Sequence, residues 1–504
     1  MVRTFFIFVL FTWAIHSSLF GQEIIFKEEF NSLSQAQAIS GISGNGLNLT
    51  QSAEYRQRLS YVIDQTKWKK SFTVSMWVKG EKDFESYNLL DLEIKYADST
   101  MLNWKFNKQA NHTWTWELIK AKKSLDYKPG PSRQLITEGW TLISMSYDSQ
   151  KQEVALYYNG QQVAIYSLEG MEPVSEVETI GLTIGGEKQG DLGEWEVFNG
   201  YIDDISLYNT DLSSDQIREI YNTYFPSERD LTLSKTVDSL RVMTYNIWHG
   251  GNETGKGIGY KRIAEIIKAS AADIITMQET YGSGARIADE LGYYFYLRSS
   301  NISIMSRYPI KETLKSSTAF NNGNALLEIG KQLVVVSSVW LNYPVDYWSE
   351  IDNGRQMNLK EWIEKQEGNR RTMEGIIQSL SPEIAASNRV PIILGGDFNS
   401  GSHLDWVESV KDKNGGYVMP FPTSKYMESL GFKDTFREVY KDPKRFRGIT
   451  WTPINPHTHQ DRIDYIYFKG KGLKTLDSKV IDTHPVRYPS DHAAVLTTFL
   501  FINQ

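Results

Sequence analysis

None of the 504 residues is cysteine. That excludes a disulfide framework, a thiolate metal centre and a lipid-modified cysteine, so the chain must stand on its hydrophobic cores. Positive charge is in deficit: 54 Lys and Arg face 61 Asp and Glu, a formal net charge of −7. Such a balance weighs against indiscriminate nucleic-acid binding, which relies on a basic surface. Long apolar runs are missing too, apart from one at the N-terminus, Phe5 to Ile15, which is too short to span a bilayer. With Arg3 before it and small or polar residues leading to Gly21-Gln22, it has the layout of a secretory signal peptide over residues 1–21. The expected location is therefore secreted, periplasmic or at the cell surface. Internal repeats and low-complexity tracts are absent, and the length predicts more than one domain.

What is present divides into two halves of different character. From 22 to 225 the chain is rich in Trp and Tyr and reads as short alternating strands punctuated by Gly, Asn and Asp. "SFTVSMWVKG" (71–80), "GWTLISMSYD" (139–148) and "QEVALYYNGQQVAIYSL" (152–168) are examples, the last with Asn159-Gly160 at a hairpin turn. The clear helical signal is "SSDQIREIYNTY" (213–224), with Ser213 as N-cap and Gln216 three positions on. Many strands and one helix predict an all-β, antiparallel sandwich. Trp77 and Trp140 are expected in its core. The segment 226–239, which opens on Pro226 and is charged and aperiodic, reads as a linker.

From 240 to 504 strands mix with helices, which predicts an α/β layered domain. Strands are expected at "LRVMTYNIW" (240–248), "DIITMQE" (273–279), "ISIMSR" (302–307), "LVVVSSVWLN" (333–342), "VPIILGGDFN" (390–399), "RIDYIYFKG" (462–470) and "AAVLTTFLF" (493–501). A helix over 259–270 places Ile263, Ile266 and Ile267 on one face, and a long helix over 355–380 has a possible break at Gly368. Several strands end on polar residues: Asn246, Glu279, Asp397 with Asn399, and Asp464; Asp491-His492 stands just before the last strand. If the "IILGGDFNS" strand continues, Asp397 and Asn399 share a face, and the two glycines leave room for a close approach to the backbone. One such ending suits a turn or a helix cap; five in one domain suit a site at a common edge. Carboxylate and amide oxygens favour Mg2+, with Mn2+ as an alternative, whereas zinc would want several histidines or thiolates. An oxygen-bound divalent ion, one histidine and an ionised Asp are the parts for phosphoryl transfer to water.

Two resemblances sit on these segments. "FTVSMWVKG", "GWTLISMSYD", "VALYYNGQQVA", "LTIGG" and "FNGYIDDISLYNTDLSSDQIREIYN" resemble the laminin-G-like, concanavalin-type jelly roll. That implies a fold, and leaves glycan binding, a cell-surface ligand and plain scaffolding open. "TYNIW", "MQE", "SRYPI", "GGDFNS", "RIDYIYFKG" and "SDHAAV" occur in the order found in the endonuclease/exonuclease/phosphatase superfamily, whose DNase I-like fold is a four-layer α/β sandwich. The resemblance implies Glu279 as principal magnesium ligand beside Asn246, with Asp491 holding the ion or its water. It makes Asp397 the residue that orients or deprotonates the attacking water, Asn399 a donor to the phosphate, and His492 a phosphoryl contact whose tautomer Asp464 fixes. One departure stands out. Relatives commonly carry a histidine where "VVVSSVWLNYP" has Trp340, which leaves the leaving-group step without its usual residue. His249, His457 or His459 could substitute, or Trp340 could serve substrate recognition, and Arg437 is a further substrate-binding candidate.

The expectation is thus a magnesium-dependent phosphoesterase with an accessory domain, preferring a phosphodiester on an extracellular lipid headgroup or a glycan-linked phosphate. An extracellular nuclease and a phosphomonoesterase are the alternatives within that chemistry. A binding protein with an inactive hydrolase domain is the alternative outside it.

Overall fold

A computed structural model of the protein describes residues 23–33, 37–53, 57–172, 175–188, 195–226, 237–356 and 358–502. The expected signal peptide lies outside them, as does most of the expected linker. The chain divides into two compact units, Met1–Glu228 and Arg229–Gln504.

In the N-terminal unit every ladder is antiparallel. One sheet runs through Ala38–Ser40, Asn45–Asn48, Gly200–Tyr208, Phe72–Gly80, Thr141–Asp148, Glu153–Tyr158 and Gln161–Ser167, with Ile24–Glu28 also paired to Gly200–Tyr208. The other orders Leu59–Val62, Val177–Ile184, Tyr87–Tyr96, Met101–Lys108, Trp114–Lys120 and Lys123–Tyr127. Alternate residues of the two sheets meet in an aromatic core: Phe72 and Trp104 rings lie 5.1 Å apart, and the Trp116 indole N–H reaches Met145 Sδ at 3.2 Å. Asn159 and Gly160 both take positive φ (49° and 77°), as the tight hairpin between Glu153–Tyr158 and Gln161–Ser167 requires. Helix Ser214–Asn222 starts on the expected capping box, Ser213 with Gln216. Trp77 is fully buried as expected, though on the sheet face beneath the helix, where it stacks on Tyr221, and not between the sheets; Trp140 is only half-buried, against Tyr201.

Among its described residues the C-terminal unit holds two sets of six paired strands. The first orders Tyr294–Leu297, Ile302–Ser306, Ile274–Gln278, Ser239–Asn246, Ala494–Phe501 and Leu473–Ile481; the second orders Ile310–Leu314, Asn322–Ile329, Gln332–Trp340, Ile392–Asp397, Asp464–Lys469 and Lys433–Asp434. Strand period decides which residues see which layer. Ile392 and Leu394 join Met373, Ile376, Ile377 and Leu380 in an apolar cluster under helix Leu359–Ser379, each such side chain contributing about 1.5–3 kcal/mol by burial. Their neighbours Ile393, Gly395 and Asp397 point the other way, at the first sheet. A Cβ at Gly395 would stand 2.4 Å from Thr276 Oγ1 and 3.2 Å from Thr244 Cβ. The room left by this glycine is therefore filled by the opposing sheet, and the close approach expected from the sequence is sheet on sheet. Gln278 Nε2 bridges the same gap to Ser338 Oγ at 3.2 Å. The helix expected to break at Gly368 runs unbroken from Leu359 to Ser379.

Candidate active site

The inner faces of the two sheets end together. Trp340 pairs with Asp397, and Asp397 with Asp464, so three neighbouring strands present these side chains in one row. Across the gap Asn246 closes Ser239–Asn246, and Glu279 follows Ile274–Gln278 directly. The Asn246 amide ties the sheets: its Nδ2 donates to Glu279 Oε1 and to Asp397 Oδ2, both at 3.1 Å.

Local backbone builds the corner. The Asp397 strand stops at Asp397, and Asn399 is left-handed, φ 45°. The shared-face expectation thus fails, because the strand does not continue. A turn brings the pair together instead, with Asn399 N donating to Asp397 Oδ1 at 2.8 Å and Asn399 Nδ2 to Asp397 Oδ2 at 3.2 Å. Glu279 also has positive φ (57°), and Trp248 and His249 follow suit at 47° and 51°. Non-glycine residues in this region carry backbone strain that gathers at functional sites. Here it turns the His249 N–H onto Glu279 Oε2 at 3.1 Å, while the His249 ring rests 3.6 Å from the same oxygen.

His492 is 4% exposed. Its Nδ1 donates to Asp464 Oδ2 at 2.9 Å, and its Nε2 faces Asp397 Oδ2 at 3.8 Å, a gap suited to an intervening oxygen. Burial by itself would lower the imidazole pKa, but Asp464, Asp397 and Asp491 outweigh it and raise it well above the usual value. Burial pushes the Asp397 carboxyl up to about 7; Asp464 adds to the rise, and His492 holds it down. Asp464 is anchored by its own N–H, which donates to Thr450 Oγ1. Beneath it Arg462 grips both oxygens of Asp434 (2.9 and 2.7 Å) and Asp405 Oδ2 (2.9 Å), all buried. This ties the segment leading into the Asp464 strand to the loop that follows Asn399.

The oxygen-rich corner fits a divalent cation. Asp491 Oδ1 is buried without a partner, and burial together with the Glu279 charge raises the Asp491 carboxyl. Two carboxylates that repel one another, with a spare buried oxygen and a neighbouring amide, form a hard-donor set of the kind Mg2+ or Mn2+ takes. Asp397, Asp464 and His492 also lie close enough to hold an ion. The imidazolium offsets one of the two carboxylate charges, and Nδ1 is committed to Asp464.

Arg437 does not join the site. It is 6% exposed, its Nε donates to Asp405 Oδ1 at 2.5 Å, and its remaining groups serve the carbonyls of Tyr440, Phe446 and Arg447. That corrects its expected substrate contact to a structural one. His459 packs on Trp406, its backbone N–H donates to Asp352, and burial pushes its pKa down to about 4; near neutrality its ring is uncharged. His457 is exposed. Trp340 does sit at the site edge, its ring 5.3 Å from Phe320 and its indole N–H buried without a partner. Sequence reasoning missed Asn301, whose Oδ1 accepts the Glu279 N–H, and Thr450; it also missed Ser490, whose Oγ donates to the Asn246 carbonyl and accepts from His492 N. Ser490 stood within "SDHAAV", and Thr450 within the family-like "GITWTP" (448–453).

Residues 243–492 match the model described as the Endonuclease/Exonuclease/phosphatase family, and residues 59–218 match that of the Concanavalin A-like lectin/glucanases superfamily. An uncharacterised protein of Caenorhabditis elegans is 28% identical over 319 residues, spanning 54% of this chain and 94% of its own. Among solved structures, truncated TDP2 of C. elegans is similar at 17% identity and a TM-score of 0.35, over 52% of this chain and 98% of that one. The human Nocturnin catalytic domain with bound sulfate is similar at 15% and 0.34, over 53% and 94%.

Proposed function

We propose that this chain, whose C-terminal unit belongs to the endonuclease/exonuclease/phosphatase family and whose N-terminal unit is a concanavalin A-like domain, is an exported, magnesium-dependent phosphodiesterase. Its preferred substrate is an extracellular lipid-headgroup or glycan-linked phosphate ester. The observation that carries the hydrolase reading is the Asp464–His492–Asp397 series standing against Asn246 and Glu279 at one sheet edge.

Each residue has a role its geometry permits. Asp397, with a carboxyl that titrates near 7, takes the proton of the attacking water, the task for which such a value is best suited. His492 offers its Nε2–H to a phosphoryl oxygen, and Asp464 holds the ring in that tautomer and supports its charge. Asn399 keeps Asp397 in place; its amide donates to Asp397 Oδ2 and to the Leu341 carbonyl, so the expected donation to the phosphate would need one of these bonds to be exchanged. Glu279, Asn246 and Asp491 would hold the cation, which when bound neutralises phosphate charge as a Lewis acid.

The charge supply favours a diester. The hydrogen bonds and ion pairs of Asn246, Glu279, Asp397, Asn399, Asp464, Asp491 and His492 involve no Lys or Arg among the described residues. Beside the cation the imidazolium would be the one positive side chain among these residues, which suits a diester with its single negative charge better than a monoester dianion. The net charge of −7 disfavours a nuclease for the same reason. Trp340 with Phe320 then offers an apolar wall, and an indole donor, to the second ester group.

The test is hydrolysis of bis-(p-nitrophenyl) phosphate, run beside sphingomyelin, plasmid DNA and inositol phosphates. Magnesium-dependent turnover of the diesters, abolished by EDTA and by Asp397→Asn, is expected. Preferential cleavage of plasmid DNA would replace the reading with a nuclease, and no turnover on any ester would leave a binding protein.

A further inference from the structure

The ladder between Ile274–Gln278 and Ile302–Ser306 ends with Gln278 opposite Ile302. The next pair in that register is Glu279 and Asn301, but Glu279 is left-handed (φ 57°) and the ladder stops. The Asn301 side chain takes over the bond: its Oδ1 accepts the Glu279 N–H at 3.1 Å. Two further contacts hold the turn, Tyr281 N donating to the Ser300 carbonyl at 2.7 Å and the Thr280 and Ser303 hydroxyls meeting at 2.7 Å. Glu279 thereby leaves the strand with its carboxylate on Asn246 Nδ2 and the His249 N–H.

The same amide has a second task. Asn301 Nδ2 donates to the Phe320 carbonyl at 2.8 Å. Phe320 is followed by Asn321, which is clamped to Trp340: the Trp340 N–H donates to the Asn321 carbonyl and Asn321 Nδ2 to the Trp340 carbonyl, both at 2.9 Å. One side chain, 1% exposed, therefore holds the Glu279 turn with its oxygen and the Phe320–Trp340 wall with its nitrogen. These partners fix its orientation, since only the amide oxygen can accept from an N–H and only the amide nitrogen can donate to a carbonyl. A carboxylate in its place loses the donor. Alanine loses both bonds and leaves the Glu279 N–H and the Phe320 carbonyl without this partner.

We propose that Asn301 is a positioning residue of the hydrolase site, which sets the cation ligand Glu279 and the Phe320–Trp340 wall in place together. The inference rests on the roles given above to Glu279, Trp340 and Phe320, and adds a residue that touches neither cation nor substrate and acts through both sides of the site.

The test compares variants of the full chain by Mn2+ binding without substrate, read from the EPR signal of the free ion, and by magnesium-saturated kinetics on bis-(p-nitrophenyl) phosphate. Asn301→Ala should raise the Mn2+ Kd about tenfold and KM about tenfold, one lost hydrogen bond on each side. Asn301→Asp keeps the acceptor for Glu279 and loses the donor to Phe320, so it should raise KM while binding Mn2+ at least as tightly as wild type. Asn324→Ala is the control for burial alone: Asn324 is 0% exposed, and its Nδ2 serves the Lys315 carbonyl and Asn322 Oδ1 at 2.8 and 3.0 Å. It should match wild type in Kd and KM whatever its melting temperature. The proposal is overturned if Asn301→Ala leaves either Kd or KM as in wild type, if Asn301→Asp weakens Mn2+ binding, or if Asn324→Ala shifts both constants as far as Asn301→Ala does. Such results with wild-type binding and turnover intact strike this inference alone, whereas a wild type that binds no Mn2+ strikes the cation assignment with it.

Discussion

Replacing Asp464 by Asn changes few atoms and removes the charge on which the site turns. The carboxylate is 1% exposed, and its Oδ2 lies 2.9 Å from His492 Nδ1. At an effective dielectric of about 20, unit charges about 4 Å apart attract by about 4 kcal/mol, roughly three decades in a rate or an equilibrium. An amide cannot supply this. Burial, which by itself lowers the His492 pKa, would then be opposed by Asp397 and Asp491 alone, and the imidazole would hold its proton less tightly. Loss of an acid–base partner costs typically 10²–10⁴ in rate, so kcat/KM on bis-(p-nitrophenyl) phosphate should fall about 10³-fold at pH 8. The deficit should narrow as pH falls and the imidazole regains its proton. A melting curve close to wild type would place the loss in catalysis. A deficit below about tenfold, constant with pH, would refute the reasoning, because Asp464 would then be only a packing element.

Asp397→Asn should cost about 10²–10⁴ in kcat. In the wild type kcat/KM should rise with pH and level near pH 7, since the carboxyl that burial pushes up to about 7 must be ionised to accept a proton; a flat profile from pH 5 to 9 would contradict that role. Glu279→Gln should raise the magnesium concentration for half-maximal activity by about 100-fold or more, read by titrating EDTA-stripped protein. Asp461 provides a stability test. Burial, then Asp405, raises its carboxyl to about 7, so the folded state holds that proton more tightly than the unfolded one. Its contribution is therefore complete below about pH 4 and lost as pH rises through about 7, worth up to about 4 kcal/mol. Asp461→Asn should flatten the pH dependence of urea unfolding over that window.

The strands that carry the site were legible because their signals are local. "IILGGD" is apolar and β-branched enough to mark a buried strand, and its polar end is visible in one dimension. The face assignment at Asn399 failed because it assumed a strand where a left-handed residue makes a turn. Trp340, Asp397 and Asp464 become neighbours only through pairing of strands far apart in sequence, and period alone does not reveal pairing. Arg437 misled for the complementary reason. An arginine in a charged segment looks available, and its partners Asp405 and the carbonyls of 440–447 are set by tertiary packing. Much of the N-terminal sheet carrying Asn88, Asn107 and Thr115 escaped notice because Asp, Glu, Lys and Asn alternate there with Trp and Leu, which mutes strand propensity.

The claim that strand tips of two sheets gather around one hard cation can be checked directly by anomalous diffraction from crystals soaked in Mn2+. One strong peak about 2.0–2.2 Å from carboxylate oxygens of Glu279 and Asp491, with His492 Nε2 left unligated, is the predicted result. A peak coordinated by Asp397, Asp464 and His492, or no peak between the sheets, would contradict it.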